Sequence, residues 1–263
     1  MPLKALFLRS KLAAMLCASF LLALPCLAEP VQVRFPEGSV HGFLALRSLQ
    51  GKLLASGDLV QSVRRGQLTS RLVYRFKDGS IDDETAVFTQ NGHFHLLRDH
   101  HVQKGPSFPK PTDVTIEVKT GEVTVRYTED GKPKVDVSHM DLPDDLSNGI
   151  LLVLVKNLPP TGPEVKLSYL AATPKPRLVH LSIKEDGIDH FTSAGLRNTA
   201  ERYRIHIDIG GFAGLVAPMI GKEPADAVAW VSGKQVPAFL KSENPLYLGG
   251  PTLRTELIDP VWQ

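Results

Sequence analysis

Short runs of alternating apolar and polar residues, each closed by Gly, Pro, Asn or Asp, set the pattern of this chain. His41-Gly42-Phe43-Leu44-Ala45-Leu46 gives way at Gln50-Gly51 to Lys52-Leu53-Leu54-Ala55. Leu72-Val73-Tyr74-Arg75-Phe76 stops at Lys77-Asp78-Gly79. Residues 85–89 and 94–97 flank Gln90-Asn91-Gly92, and Asn-Gly between such runs is the strongest short hairpin signal. Residues 114–118 and 123–127 flank Lys119-Thr120-Gly121 in the same way. Strand, tight turn, strand, repeated along a chain, predicts antiparallel pairing. Further strands are expected over 165–170, 178–183, 203–209, 227–231 and 238–241, with a turn at Ser232-Gly233.

The alternation is interrupted between Asp141 and Pro160. Asp141 can cap a helix, Pro143 suits a first turn, and Asp144 and Asp145 suit the positive end of a helix dipole. Residues 150–155 are then apolar on every side before Lys156-Asn157 and Pro159-Pro160. A segment apolar all round belongs in a core. A buried strand competes with a helix there, because β-branched residues are frequent; the cap and stop signals favour the helix. The chain therefore reads as mainly β with one buried central helix.

The first 28 residues change how the composition is read. Lys4, Arg9 and Lys11 precede an apolar run from Leu12 to Leu24, and Pro25 and Cys26-Leu27-Ala28 lead to a cleavage position before Glu29. This is the pattern of a secretory signal peptide, and the run is too short to span a bilayer. Pro25 argues against lipid attachment at Cys26. Both cysteines fall within residues 1–28, so the expected mature product, 29–263, has no thiol chemistry. The chain has 30 basic and 28 acidic residues, and three of the basic ones sit in the signal. Its slight basicity therefore belongs to the export signal, which removes the electrostatic case for nucleic acid. A periplasmic or secreted product is expected, with no transmembrane segment after cleavage and a single β-rich domain, in which two sub-sheets meeting near 141–163 are one arrangement.

No Gly-x-Ser-x-Gly elbow, phosphate loop or His-Glu-x-x-His helix is present. Gly210-Gly211-Phe212-Ala213-Gly214 lacks dinucleotide-binding spacing. The strongest chemical constellation lies around Asn91-Gly92. A two-residue turn there sets Phe88 opposite His95, Glu84 opposite Asp99 and Asp82 opposite His101, and strict alternation puts His93, His95, Asp99 and His101 on one face. His-x-His with Glu84 or Asp99 is a candidate metal set. Its length tells against one site, since His93 and His101 lie about 26 Å apart on an extended strand. The apolar stretch 211–221 reads as a short core helix or loop, or as a mobile lid whose Phe212, Leu215 and Met219 meet a lipid-like ligand.

The residues Ala229-Trp230-Val231-Ser232-Gly233 and Val236-Pro237-Ala238-Phe239-Leu240-Lys241, followed by Gly249-Gly250, resemble the late hairpin of uncharacterised exported bacterial domains. Those domains are similar in turn to the half-barrel carriers of periplasmic lipoproteins. The resemblance covers about 30 residues. It implies a large curved antiparallel sheet, or two, forming a half-barrel or barrel, with an apolar cavity under a helical cover. On that basis Leu151, Leu152 and Leu154 join Phe212, Leu215 and Met219 as candidate ligand contacts. The leading expectation is a non-enzymatic periplasmic carrier for an apolar ligand, a lipoprotein or an envelope partner, with no cofactor. The alternative is a metal-binding protein or metal-dependent hydrolase using His93, His95, Glu84, Asp99 and His101. A third reading is a structural envelope protein whose edge strands pair with a partner.

Overall fold

The computed structural model describes residues 30–171, 175–193, 196–208, 225–233 and 236–258. The signal-like segment, Phe212, Leu215 and Met219 lie outside them.

Alternating side chains place one face of most strands in the interior, and fourteen strands join one antiparallel sheet. The first eight are β1 (Val40–Ser48), β2 (Leu53–Arg64), β3 (Gln67–Phe76), β4 (Ile81–Asn91), β5 (His93–Lys104), β6 (Thr112–Glu117), β7 (Glu122–Glu129) and β8 (Lys132–His139). Helix α1 (Leu151–Asn157) follows. The last six strands are β9 (Val165–Ala171), β10 (Arg177–Ser193), β11 (Leu196–Asp208), β12 (Ala227–Ser232), β13 (Ala238–Pro245) and β14 (Thr252–Ile258).

Sequential strands pair as hairpins, and one long-range pairing fixes the architecture. β1 lies beside β14, with Leu44 opposite Leu257 and Leu46 opposite Thr255. The strand order is therefore β8-β7-β6-β5-β4-β3-β2-β1-β14-β13-β12-β11-β10-β9. The chain leaves the sheet at one edge and re-enters at the other, and residues 140–164 make the crossing. Leu68, Phe88 and Val125 from one arm share a core with Leu167, Ile205 and Val231 from the other, around Ile150, Leu154 and Val155. Two arms of one sheet can meet a common helix only by curling over it. Because β8 and β9 do not pair, the result is a single large curved sheet that stays open, in line with the half-barrel expectation.

The crossing segment corrects the expected start of the helix. Asp141 to Asp145 is not helical, and α1 begins after Ile150 without a side-chain cap. The polar residues read as capping signals instead serve the edge of β9. Asp145 Oδ2 accepts the Ser168 backbone N–H at 2.9 Å and its hydroxyl at 3.1 Å. The Ser147 N–H and hydroxyl both donate to the Ser168 carbonyl. Asn148 completes the series, accepting from the Leu170 N–H at 2.8 Å and donating to its carbonyl at 3.0 Å. A strand edge with such partners is satisfied in the interior, where an unpaired amide is costly.

Helix α1 has seven residues, too few to persist alone in water. Burial and its C-terminal contacts hold it. The Asn157 carboxamide oxygen accepts the Arg34 and Phe35 N–H groups, the Arg34 guanidinium donates to the Leu158 carbonyl, and Lys156 pairs with Glu37 at 2.6 Å. A second, smaller core of Leu44, Leu46, Ala55, Tyr74 and Leu253 fills the region where β1 meets β14. Gly57 belongs to its packing, since a β-carbon there would stand 2.7 Å from the Tyr74 ring.

Asn148→Ala leaves both polar groups of Leu170 without partners in a buried site. It is expected to cost about 1–3 kcal/mol in urea unfolding, whereas Lys132→Ala on the exposed first turn of β8 should shift stability by less than about 0.5 kcal/mol.

Candidate functional site

The β4–β5 hairpin carries most of the chemistry, and its register differs from the two-residue reading. Its turn has three residues, Asn91-Gly92-His93, with Gly92 in the left-handed region at φ 76°, a conformation that suits glycine in this loop. Thr89 then faces His95 and Gln90 faces Phe94. An irregularity follows at Leu97, which has no opposite residue, so that Val87 faces Arg98, Ala86 faces Asp99 and Glu84 faces His101.

The extra residue reverses which side of the sheet each odd-numbered residue takes. His93 and His95 flank the buried Phe94 and lie on the outer face, their rings 6.4 Å apart. Asp99 points inward at 2% exposure, and His101 points inward beside it. The five candidate metal ligands are thus divided between two faces of one sheet. Among the described residues, no three His, Cys, Asp or Glu side chains gather in a form that could hold a metal ion.

The interior members form a hydrogen-bonded cluster of their own. His101 Nε2 lies 2.8 Å from Asp82 Oδ1, a diagonal contact across the hairpin, and His101 Nδ1 is 4.0 Å from Glu84 Oε1. Gln103 donates to Asp82 Oδ2 and to the Leu246 carbonyl, both at 2.8 Å. Asp99 Oδ1 is buried without a hydrogen-bond partner and packs against Gly149, where a β-carbon would come within 2.7 Å of it. Glycine is required there both by that close approach and by a φ of 65°.

Electrostatics divide the protons unevenly. Burial raises Asp99 well above the ordinary carboxylate range, and the nearby Glu84 charge raises it further. Burial raises Glu84 as well. Burial opposes protonation of His101, but Glu84, Asp82 and Asp99 outweigh it and push the imidazole up to about 10. The Tyr169 phenol on β9 is raised by burial and then by the Glu84, Asp99 and Asp82 charges, so the cluster reaches across the interior to the other arm. The imidazole is thus hydrogen-bonded to Asp82 through Nε2 and lies in ion-pair range of Glu84 through Nδ1.

The second feature is a recess at one end of the sheet. The β1–β2, β3–β4, β5–β6 and β13–β14 connections all fall at that end, because hairpin strands alternate in direction. Between them lies a cavity of about 340 Å³ walled by Leu54, Phe76, Phe108, Leu246, Tyr247 and Leu253. Phe108 stands edge-on to Phe76 at 5.4 Å and to Tyr247 at 5.9 Å. Lys52, Lys77 and Asp78 stand at its mouth. The Gln103–Leu246 bond ties this wall to the buried cluster.

Of the expected ligand contacts, Leu154 is 2% exposed inside the main core, and Leu151 and Leu152 pack against that core. Sequence reasoning missed the recess. Phe76 and Phe108 each adjoin a turn signal, but only the β1–β14 pairing brings Tyr247 to them.

Comparison with protein families and with curated proteins returns no match. Among solved structures, the chain is similar to a β-barrel-like protein of the domain of unknown function DUF1849 from Brucella abortus. The TM-score is 0.45 and identity 9%, over 86% of this chain and 100% of that one. It is also similar to the hypothetical lipoprotein YmcC from Escherichia coli, with a TM-score of 0.35 and 11% identity over 85% of this chain and 86% of that one. Among the described residues, no helix is long and apolar enough to cross a membrane.

The cluster makes stability pH-dependent with a defined sign. The folded chain keeps a proton on His101 that the unfolded chain releases at 6.5, so this contribution is complete below 6.5 and disappears as pH rises through about 10. Asp99 and Glu84, raised in the folded state, also lose stability as pH climbs above their ordinary values. Urea midpoints should therefore fall between about pH 5 and pH 9, and Asp99→Asn should flatten that fall. An unchanged slope in the variant would show that Asp99 ionises freely.

Proposed function

We propose that this chain is a non-enzymatic binding or carrier protein of the bacterial envelope, exported by residues 1–28, that takes an apolar, lipid-like ligand in the recess at the end of its sheet. The observation that carries this reading is the half-open, aromatic-walled recess of about 340 Å³, lined mainly by carbon. Small-molecule sites have this character, apolar walls with a few polar groups at the entrance, and volumes from roughly 300 Å³ upward. On this reading the ligand lies at the loops at the end of the sheet, apart from the α1 residues Leu151, Leu152 and Leu154, of which Leu154 is buried in the core.

The ionisable cluster supports binding over catalysis. His101 is engaged by Asp82 and Glu84, and Asp82 by Gln103. The metal-dependent hydrolase reading also has the reversed face of His93 and His95 against it.

Native mass spectrometry of protein purified from its own envelope fraction tests the proposal. A co-purifying mass of lipid size is expected, lost in Tyr247→Glu with the circular dichroism spectrum unchanged. Retention of that mass in the variant, or a bare wild-type chain, would contradict the assignment of the recess.

A further inference from the structure

The mouth of the recess carries charge that the walls do not use. Lys52 closes the β1–β2 turn and Lys77 opens the β3–β4 turn, and both are exposed beside the apolar wall. Their turns are joined by the Lys77 N–H, which donates to the Leu54 carbonyl at 3.3 Å. Among the described residues, neither side-chain ammonium has an ion pair or a hydrogen bond. Several arginines on the strands, among them Arg47, Arg71, Arg202 and Arg254, have carboxylate partners, whereas these two lysines flank an apolar wall with their charge unpaired.

The mouth also holds one acid, Asp78, whose position is fixed by local contacts. Its Oδ2 accepts the Ser107 hydroxyl at 2.7 Å and its Oδ1 accepts the Ser80 N–H at 2.9 Å. The Ser80 hydroxyl in turn accepts the Ser107 N–H at 2.8 Å. Asp78 thus fastens the β3–β4 turn to the β5–β6 loop while keeping its negative charge, and with Lys52 and Lys77 beside it the entrance is net positive.

We propose that the recess selects a single-chain anionic amphiphile, its hydrocarbon tail against Phe76, Phe108 and Tyr247 and its carboxylate or phosphate head between Lys52 and Lys77. This inference rests on the apolar-ligand reading and adds the head group to it. The volume near the lower end of the usual range suits one chain better than two. Ammonium groups act on such a head as point charges that are screened by salt.

The test compares decanoate, decanol, decyltrimethylammonium and acetate by isothermal titration against the chain lacking residues 1–28, in low and high salt. Decanoate should bind roughly tenfold more tightly than decanol at low salt, and the gap should narrow as salt rises. Decyltrimethylammonium should bind more weakly than decanol, and acetate should not bind, which separates an amphiphile site from a simple anion site. The double variant Lys52→Gln, Lys77→Gln should bind decanoate and decanol alike while leaving decanol affinity unchanged. Equal affinity for decanoate and decanol in the unaltered chain would overturn the head-group inference and leave the apolar recess standing. Binding of none of the three ten-carbon probes would overturn the recess as well.

Discussion

Burial of α1 between the two arms of the sheet is the constraint on which the other features depend. A fourteen-stranded meander has two edges and an inner face that must find apolar partners, and here the edges do not find each other. The segment from Asp145 to Leu158 serves both needs. Its leucines and valines fill the space under the curled sheet, and Asp145, Ser147 and Asn148 occupy the hydrogen-bonding positions along β9 that another strand would take. The contacts from Arg34 and Phe35 to Asn157 then anchor the far end of the helix to the start of the chain. A helix too short to persist alone thus acts as the common core of a much larger sheet.

The same packing explains why the interior has two apolar cores with a polar belt beside them. The main core surrounds α1, and the smaller one lies under β1 and β14. The Asp82–His101–Glu84 group adjoins the main core, with Asp99 pressed on the glycine that leads into α1. Gln103 extends the belt to Leu246, which belongs to the wall of the recess. A buried charged group of this kind adds little net stability compared with well-packed apolar residues, but losing one member is costly. Its structural consequence is positional: it links the crossing segment, the hairpin and the recess through a chain of hydrogen bonds and close contacts.

Much of the fold was legible because strand patterning and turn chemistry are local. Gln90-Asn91-Gly92, Lys77-Asp78-Gly79 and Lys119-Thr120-Gly121 mark hairpins in their expected places, and within the apolar run 150–155 Ile150, Leu154 and Val155 are buried while Leu151, Leu152 and Val153 are half-buried against the core. The misreadings have physical reasons. Asp141 to Asp145 looks like a helix start because carboxylates satisfy orphan N–H groups, and here Asp145 satisfies one that belongs to a strand. The hairpin histidines appeared to share a face because alternation was carried through a bulge. One additional residue at Leu97 turned Asp99 and His101 inward and left His93 and His95 outside. The recess was not legible at all, since Phe76 and Tyr247 meet only through the pairing of β1 with β14.

Hydrogen exchange at the two sheet edges tests the role of the crossing segment most directly. If Asp145 and Asn148 stand in for a strand beside β9, the Ser168 and Leu170 amides should exchange nearly as slowly as amides in central strands such as β3. The amides along the free side of β8 should exchange quickly under the same conditions. Exchange at Ser168 and Leu170 as fast as on β8 would contradict the account, because the edge of β9 would then be open and α1 would not be holding the curled sheet together.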